Sequence, residues 1–518
     1  MHLTQGLHRA AQIKPDAVAT IFGERRRTWR EVRDRVARLA AGLVALGLKP
    51  GDRIAPIALN SDRYIELYYA VWWTGGVIVP GNTRWALAEH IYALNDSGAE
   101  LLLLDDTFTA LAAPIAKACP IRATLYLGDG PAPAGAVDVE ALIAATPPMV
   151  DACGRDDELA ALFYTGGTTG RSKGVMLSHR SLISSFLCAS ATSPGRDDQV
   201  ILHSPPMFHL ADAAMIIGTT MMGGAHVVVP SFSPEAVARA IEAEQITDLI
   251  LVPTMLGMMR EYAAANRVNL LSVRKVTYGA SPISETLLNQ AMEMFPNAEF
   301  SQAYGQTELS PVATILTPKF HRPMPDGKSY LRSAGRPAVG IDVMIAGEDL
   351  SERPRGDVGE ILVRSDGAML GYWNQPELTR QTLVDGWVRT GDAGYMDEDG
   401  FVFLVDRVKD MIVSGGENVY SAEVENALSA HASVVECAVI GVPDERWGER
   451  VHAIVRLKAD ATVSADEIAA HCHTLIAGFK CPRSVEFQTD PLPLSGAGKI
   501  LKTELRKGYW GAEGRRIN

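Results

Sequence analysis

The sequence predicts an α/β fold, with a large N-terminal domain of mostly parallel sheets flanked by helices and a smaller C-terminal α+β domain. Helical apolar periodicity alternates with short apolar runs through most of the chain, which is typical of parallel strands joined by helices. The length of 518 residues exceeds what one hydrophobic core usually covers. Between Phe401 and Val413 a strand-like run gives way to charged residues and then a glycine pair. We therefore place the large domain at residues 1–405, a linking segment at 406–409 and the small domain at 410–518.

The first long helix illustrates the alternation. Thr28 and Glu31 have the spacing of a capping box, and apolar residues then recur every three or four positions until Pro50 and Gly51 end the pattern. Ser178 has the position of an N-cap at the start of a later helix. Apolar strands are predicted at residues 53–59, 101–104, 225–229 and 248–252.

Composition and charge limit the classes of partner. Lys and Arg number 49 against 61 Asp and Glu, and the net charge of -12 opposes binding to nucleic acid and to anionic membranes. The N-terminus has no apolar segment of signal-peptide length. The most apolar stretch, residues 67–80, is too short to cross a bilayer. We therefore predict a cytoplasmic protein with no transmembrane segment and no nucleic-acid partner, and a homodimer is compatible with these features.

The six cysteines are scattered without a C-x-x-C pair. The sequence therefore predicts reduced, mostly buried thiols rather than a disulfide framework or a zinc site. His471 and His473 suggest a metal site at first sight. On the helix expected over residues 464–476 their side chains point about 200° apart, which disfavours a shared ion.

Residues 164–174 form a segment rich in glycine and threonine between two apolar runs. The glycines let backbone N–H groups approach anionic oxygens, the threonines add hydroxyl donors, and Lys173 adds a positive charge. These properties suit a phosphate-binding loop, although plain turns also select glycine and threonine. The spacing does not fit the Walker pattern, and no dinucleotide fingerprint with a following acidic residue fits here.

Further motifs follow this loop along the chain. They are Pro205-Pro206-Met207-Phe208-His209, Tyr278-Gly279-Ala280-Ser281-Pro282, Tyr304-Gly305-Gln306-Thr307-Glu308, Gly335-Arg336-Pro337, Gly359-Glu360-Ile361-Leu362-Val363-Arg364, Gly371-Tyr372-Trp373, Thr390-Gly391-Asp392, Asp406-Arg407-Val408-Lys409-Asp410 and Pro493-Leu494-Ser495-Gly496-Ala497-Gly498-Lys499. In this order they resemble the signature motifs of the adenylate-forming enzymes, the superfamily of acyl-CoA synthetases, peptide-synthetase adenylation domains and luciferases. The similarity spans about residues 20–505. Each motif alone would fit a turn or a strand, but their ordered series would not.

The resemblance implies an ATP site built from several motifs. By similarity Tyr304 stacks on adenine, Asp392 accepts hydrogen bonds from the ribose hydroxyls, and Arg407 adds a second contact. The structural alternatives are a core aromatic for Tyr304 and a turn carboxylate for Asp392. The residues implied to bind ATP or AMP are Thr165, Gly166, Gly167, Thr168, Thr169, Gly170, Lys173, Gly279, Ala280, Ser281, Gln302, Ala303, Tyr304, Gly305, Gln306, Thr307, Asp392, Arg407 and Lys499.

The same resemblance implies three catalytic residues. A carboxylate that attacks the α-phosphate of ATP brings two anions together, so the protein must screen charge and hold the line of attack. Lys499 would contact both anions, whereas its alternative is a solvated tail lysine such as Lys502. Glu308 would hold Mg²⁺ together with Thr165, although an isolated glutamate is usually a surface charge. His209 would gate the acyl pocket beside the substrate carboxylate.

The resemblance also implies that the small domain is mobile. Lys409 corresponds to the family's pivot, about which the domain swings between the two half-reactions. Before the swing Lys499 faces the acyl-adenylate, and afterwards a different loop replaces it and helps to form a coenzyme A channel. The residues assigned to coenzyme A are Ser414, Gly415, Gly416, Arg446 and Trp447. Trp447 has the alternative of packing in the core of the small domain.

The substrate is less well defined by the sequence. Peptide-synthetase adenylation domains have an aspartate after the phenylalanine of the motif that corresponds to residues 205–209. Here His209 follows Phe208. An α-amino acid is therefore disfavoured, although Asp212 keeps that alternative open. The predicted acyl-binding residues are Met207, Phe208, His209 and Met215. Seven methionines between residues 207 and 259 suit an apolar pocket or, individually, core filling.

These features predict an AMP-forming carboxylate:CoA ligase that uses ATP, Mg²⁺ and coenzyme A. The expected substrate is an apolar monocarboxylic acid, first a medium- or long-chain fatty acid and second an aromatic acid. An enzyme that loads the pantetheine of a carrier protein would share the first half-reaction. A noncatalytic acyl or nucleotide sensor and a luciferase-like oxidase are weaker alternatives.

Overall fold

The computed structural model describes residues 1–165, 172–407, 410–414, 417–444, 446–459, 461–495 and 499–510, with only the backbone described at positions 406, 407 and 418. The strands are β1 (Val18–Phe22), β2 (Arg25–Thr28), β3 (Arg53–Ile57), β4 (Val77–Ile78), β5 (Leu101–Leu104), β6 (Ala123–Tyr126), β7 (Val137–Asp138), β8 (Leu159–Thr165), β9 (Lys173–Ser178), β10 (Val200–His203), β11 (Ala225–Val228), β12 (Asp248–Leu251), β13 (Lys275–Gly279), β14 (Glu299–Tyr304), β15 (Thr314–Leu316), β16 (Arg336–Pro337), β17 (Asp342–Ala346), β18 (Gly359–Arg364), β19 (Gly371–Tyr372), β20 (Leu383–Val384), β21 (Trp387–Met396), β22 (Val402–Arg407), β23 (Ile412–Ser414), β24 (Glu417–Val419), β25 (Val434–Asp444), β26 (Gly448–Leu457) and β27 (Ser484–Phe487).

Helices connect most of these strands. They are α1 (Gln5–Ile13), α2 (Trp29–Ala45), α3 (Asp62–Trp73), α4 (Leu87–Ser97), α5 (Ala112–Ala118), α6 (Val139–Ala145), α7 (His179–Thr192), α8 (Leu210–Met222), α9 (Pro234–Glu244), α10 (Pro253–Ala265), α11 (Glu285–Met294), α12 (Pro376–Thr382), α13 (Ser421–Ser429), α14 (Ala465–His473) and α15 (Lys502–Arg506). Helix α2 begins with the predicted capping box of Thr28 and Glu31, and Ser178 caps α7 through the backbone N–H of Ser181. Both predicted caps are confirmed.

Two large sheets form the body of the molecule. The first has the order β16-β15-β14-β13-β12-β10-β11-β1-β2, and the second has the order β19-β9-β8-β4-β3-β5-β6-β7. Strands from β14 to β1 in the first sheet, and from β8 to β7 in the second, pair in parallel. Antiparallel pairs occur at the edges. The predicted α/β class and its mostly parallel sheets are therefore confirmed.

Helices α2, α3 and α8 are packed between the two large sheets. One cluster of buried apolar side chains includes residues of these helices together with Ala19 and Val228 of the first sheet and Ile54 and Leu101 of the second. Every residue of α3 is buried. The apolar stretch at residues 67–80 thus belongs to the interior, and none of the described helices has the length and apolarity needed to cross a membrane.

A third sheet was not predicted from the sequence. It has the order β17-β18-β21-β20 with β22 paired to β21, and all of its pairs are antiparallel. Short connections rather than helices join β17 to β18 and β21 to β22, so the helix and strand alternation does not reveal it. Strand β22 continues through Arg407, two residues past the end predicted for the large domain.

The C-terminal region forms a separate small sheet with the order β24-β23-β26-β25, to which β27 adds in parallel next to β26. Helices α13 and α14 cover one face of it with Val424, Leu428 and Ile468. The opposite face packs against Leu492 and Ile500, which flank the loop that carries Lys499. This α+β arrangement agrees with the smaller C-terminal domain expected from the sequence.

Candidate active site

The residues predicted to bind nucleotide lie at the carboxyl ends of parallel strands, the usual place for ligands in α/β sheets. Strands β13 and β14 are neighbours, and Gly279 pairs with Ala303 at their ends. In the second sheet β8 ends at Thr165. The predicted phosphate-binding residues Gly166, Gly167, Thr168, Thr169 and Gly170 lie outside the described residues.

Close backbone packing explains two glycines of this region. A Cβ atom on Gly279 would lie 2.1 Å from the carbonyl oxygen of Ala303, and one on Gly305 would lie 2.0 Å from that of Pro311. Neither position accepts a side chain without a backbone shift. In the same segment, the side-chain Nε2 of Gln306 is buried and has no hydrogen-bond partner among the described residues. A buried donor of this kind is suited to a ligand acceptor.

Asp392 connects the third sheet with the end of β14. Tyr304 donates a hydrogen bond from its hydroxyl to Oδ2 of Asp392 at 2.8 Å. The backbone N–H of Asp392 donates to Oγ1 of Thr390 at 3.1 Å, which holds the turn of the Thr-Gly-Asp motif. Arg407 stands opposite Asp392 in the register of β21 and β22. Tyr304, Asp392 and the backbone of Arg407 are therefore neighbours in space.

Lys173, Tyr372 and Glu308 form a compact polar cluster. Nζ of Lys173 donates to the hydroxyl of Tyr372 at 2.7 Å, and that hydroxyl donates to Oε1 of Glu308 at 2.7 Å. The Lys173 ammonium lies 3.5 Å from the same carboxylate oxygen and 4.1 Å from the centre of the tyrosine ring. Burial, followed by the neighbouring Glu308 charge, raises the pKa of Tyr372. The sequence analysis gave Tyr372 no role, although it lies in one of the quoted motifs.

The donors available for Mg²⁺ are oxygen atoms, as this hard cation prefers. Glu308 is buried, and it follows β14 in a short 3₁₀ helix, Thr307–Leu309. Oγ1 of Thr165 is shielded from solvent and has no hydrogen-bond partner among the described residues. An unpartnered hydroxyl and a buried carboxylate are compatible with the predicted ion.

His209 ends a loop before α8, and hydrogen bonds fix the position of this loop. Asn60 accepts a hydrogen bond from the backbone N–H of Met207 at 2.8 Å, and Tyr68 donates to the carbonyl of Met207 at 2.8 Å. The ring of His209 caps α8 by accepting from the N–H of Ala211 at 3.3 Å. Burial and then the positive charge of Lys499 lower the pKa of His209 to about 4. The imidazole is therefore neutral at physiological pH.

The loop that carries Lys499 contacts the large domain through Arg84, and the lysine charge acts on His209. The lysine loop is closed by hydrogen bonds between Lys499 and Ser495, at 3.1 and 2.7 Å. Arg84, after β4, donates from Nη1 to the carbonyl of Ser495 at 2.7 Å. This contact ties the lysine loop to the body of the molecule. Lys499 is expected from the sequence to face the acyl-adenylate before the small domain swings, and that role stays a prediction.

Lys502 differs from its description in the sequence analysis as a solvated tail lysine. Its side chain is only 17% exposed and forms an ion pair with Glu425 at 2.8 Å. It also donates to the hydroxyl of Ser421. The prediction was wrong because α15 packs against the small sheet instead of trailing into solvent.

The residues predicted to bind coenzyme A are only partly described. Ser414 is buried at the end of β23, whereas Gly415, Gly416 and the predicted pivot Lys409 lie outside the described residues. The guanidinium of Arg446 lies 4.7 Å from the centre of the Trp447 ring, and that of Arg483 lies 4.2 Å from it. Trp447 is thus flanked by two cations near the surface, rather than forming the centre of the small core.

The predicted acyl residues have different environments. Met207 is fully buried in the core between the large sheets, Phe208 is 7% exposed, and Met215 is partly exposed on α8. The remaining methionines do not share one pocket, since Met255 and Met259 pack in the core of the first sheet while Met258 is exposed. Met255 and Met259 thus follow the core-filling alternative, whereas the acyl-binding roles of Met207 and Met215 stay predictions.

A buried polar network under α8 was missed by the sequence analysis. Asp212 accepts from Nδ1 of His203 at 2.9 Å, and the other ring nitrogen of His203 lies 2.9 Å from Nδ1 of His226. The His203 and Asp212 side chains are fully buried. The carboxylate of Asp212 is therefore engaged inside the protein. The two histidines are far apart in the sequence, and only the pairing of β10 with β11 brings them together.

Comparisons with known proteins identify the family of this chain. The family model for AMP-binding enzymes matches residues 7–373, and the model for their C-terminal domain matches residues 423–499. Feruloyl-CoA synthase from Amycolatopsis sp. is 38% identical over 502 residues, covering 97% of this chain and 98% of its own. The fatty acid–[acyl-carrier-protein] ligase ScoC of Streptomyces coeruleorubidus is 37% identical over 514 residues, covering 98% of this chain and 96% of its own.

A solved structure supports the same assignment. The o-succinylbenzoate CoA synthetase of Bacillus subtilis, in complex with its acyl-adenylate intermediate, superposes with a TM-score of 0.84 at 28% identity. The match covers 97% of this chain and 98% of the synthetase. The chain therefore belongs to the AMP-binding enzyme family, as an AMP-forming acid–thiol ligase of the acyl-CoA synthetase type.

Proposed function

We propose that this ligase activates an apolar monocarboxylic acid, first as an acyl-adenylate with release of pyrophosphate and then as a thioester of coenzyme A with release of AMP. The observation that carries the proposal is the position of Lys499, whose charge acts on His209 at the entrance of the predicted acyl pocket. An ammonium group at that position would face both the carboxylate and the α-phosphate.

The first half-reaction requires two anions to meet. Lys499 would offset the negative charge that is shared between the attacking carboxylate and the α-phosphate. Lys173 would contact the outer phosphates, and Asp392, held by Tyr304, would orient the ribose. Glu308 and Thr165 would hold Mg²⁺, which supplies further neutralisation of the phosphates when it is bound. None of these residues needs to act as a nucleophile.

The second half-reaction requires the lysine loop to leave. The thiolate sulfur of coenzyme A attacks the acyl carbon, and the bond to AMP breaks with AMP as the leaving group. Release of the Arg84 contact would allow the small domain to swing about the segment at residues 406–409. Ser414 and the pair of Arg446 and Trp447 would then line or flank the thiol channel, where the guanidinium suits a phosphate.

The apolar character of the substrate is supported by the neutral His209. An α-amino acid needs a carboxylate partner for its ammonium group, but the position after Phe208 carries this histidine. The alternative carboxylate, Asp212, is fully buried and bonded to His203. A medium- or long-chain fatty acid is our first candidate, which the similarity to ScoC favours. An aromatic acid is the second candidate, because the feruloyl-CoA synthase relative is 38% identical.

A panel of acids tests this proposal. The purified protein is incubated with ATP, Mg²⁺, coenzyme A and one of octanoate, palmitate, ferulate, phenylalanine or malonate, and AMP is measured. We expect AMP with the fatty acids or with ferulate, and none above background with phenylalanine or malonate. Replacement of coenzyme A by a pantetheinylated carrier protein distinguishes the two acceptors. Turnover only with the amino acid or the dicarboxylate would contradict the proposal.

A further inference from the structure

We propose that Tyr372 is a positioning residue for ATP and its Mg²⁺, because its hydroxyl separates Lys173 from Glu308. This inference rests on the proposed function, in which the phosphates take the ammonium group and the ion takes the carboxylate. The tyrosine hydroxyl would bond both groups and hold the ammonium and the carboxylate 3.5 Å apart, as a loose ion pair rather than a direct hydrogen bond.

The backbone around Tyr372 is fixed from both sides. The N–H of Trp373 donates to the carbonyl of Gly174 at 2.8 Å, and that of Leu370 donates to Met176 at 2.9 Å. The N–H of Met369 donates to the carbonyl of Glu308 at 2.9 Å. The segment therefore joins β9, which carries Lys173, to the short helix that carries Glu308. Tyr372 is placed between them by the fold.

The packing beside Tyr372 leaves little freedom for the segment to shift. Its backbone N–H donates to Oγ1 of Thr379 at 2.9 Å. A Cβ atom on the preceding Gly371 would lie only 2.7 Å from Cγ2 of the same threonine. These contacts fix the backbone of Tyr372, and the tyrosine hydroxyl lies between the two charged groups.

The hydroxyl has the chemistry required for this role. It accepts from Lys173 and donates to Glu308, both at 2.7 Å, while the ammonium and carboxylate remain 3.5 Å apart. A phenolic hydroxyl is protonated at neutral pH, so it can donate to one group while it accepts from another. Without it, the flexible lysine chain would tighten the 3.5 Å ion pair into a direct hydrogen bond to the buried carboxylate. That pair would compete with phosphate for the lysine and with Mg²⁺ for the glutamate.

Binding measurements with Tyr372→Phe test the inference without relying on turnover. Calorimetry with ATP and Mg²⁺, in the absence of any acid, should show affinity about tenfold weaker than that of the parent protein. Adenylation at saturating Mg²⁺ should retain most of its maximal rate, so that the loss appears in the Mg²⁺ and ATP concentrations required. Tyr330→Phe is the matched control, since Tyr330 also donates to a carboxylate, Asp399, at 2.8 Å outside this site.

A double-mutant cycle in EDTA isolates the proposed competition. Without Mg²⁺, Glu308 opposes ATP binding both by competing for Lys173 and by repelling the phosphates directly, so Glu308→Gln should tighten ATP binding severalfold. Tyr372→Phe should weaken ATP binding in the parent background but not in the Glu308→Gln background. If Tyr372→Phe is unstable in a thermal melt, Glu308→Gln is compared in the parent and Lys173→Ala backgrounds, because direct repulsion persists without the lysine whereas the competition does not.

The outcomes separate this inference from the proposed function. A parent protein that binds no ATP would contradict the proposed function itself. If the parent binds ATP and Tyr372→Phe has the same ATP affinity and Mg²⁺ dependence, the inference is overturned. It is also overturned if the tyrosine variant has equal effects in both Glu308 backgrounds, or if Glu308→Gln leaves ATP binding in EDTA unchanged or weaker.

Discussion

His209 carries a neutral ring beside a permanent positive charge. Burial removes water from the imidazole, and the Lys499 ammonium adds a second penalty to protonation. Both effects act in the same direction, so its pKa lies at about 4 instead of the ordinary value of 6.5. A neutral imidazole can lie against the carboxyl end of an acid without holding it as a salt. This suits a residue that is in contact with substrate but must allow the carboxylate to react.

The pH dependence of adenylation tests this description of His209. Because the pKa is lowered, the ring stays neutral above about pH 5 and gains a proton only as the pH falls through about 4. We expect kcat/KM for acyl-adenylate formation to show no acid limb near pH 6.5. His209→Gln is the control. A limb near pH 6.5 that disappears in this variant would show that the histidine titrates normally.

Individual residues also show the limits of sequence reasoning. Lys499, Glu308 and Asp392 were identified because each ends a recognisable motif. Tyr372 also lies in a motif, but its bonds to Lys173 and Glu308 depend on how β19 pairs with β9. Contacts between distant parts of the chain leave no local signal. The roles of the predicted site residues therefore remain proposals.

At the scale of secondary-structure elements, the sequence predicted those with strong local signals. The strand at residues 101–104 was confirmed, and the predicted strands at 53–59, 225–229 and 248–252 end one or two residues earlier in the structure. The third sheet was missed because no helix joins β17 to β18 or β21 to β22, so the alternation of helix and strand that marks a parallel sheet is broken there. Its position matters for the site, since β21 carries Asp392 and β22 leads to the small domain.

The hydrogen bond between Arg84 and Ser495 joins the segment after β4 to the loop that carries Lys499. We expect Arg84→Ala to slow acyl-adenylate formation by about threefold to tenfold, because the lysine loop would lose one charge-assisted hydrogen bond. Thioester formation from a supplied acyl-adenylate should be unchanged or faster. Rapid-quench measurement of each half-reaction checks this. Equal slowing of both half-reactions would contradict a role limited to the first arrangement.

On the scale of the whole molecule, the fold places most of the predicted nucleotide-binding residues in the large domain and Lys499, which is proposed to move, in the small domain. The parallel sheets place Gly279, Tyr304 and Thr165 at fixed strand ends. The small domain carries Lys499 on a loop. Among the described contacts of this loop with the large domain is a hydrogen bond from Arg84 to Ser495. A hydrogen bond of this kind can be broken and formed again, which suits the proposed swing of the small domain.

The central claim is that Lys499 is required to bring the two anions together and is then withdrawn. The most direct test measures the two half-reactions of Lys499→Ala separately, as acid-dependent pyrophosphate release and as thioester formation from synthetic acyl-adenylate. Loss of an electrostatic contact worth about 3 kcal/mol predicts that pyrophosphate release falls at least about 100-fold. Thioester formation should be nearly unchanged. If the variant releases pyrophosphate as fast as the parent protein, the claim is contradicted.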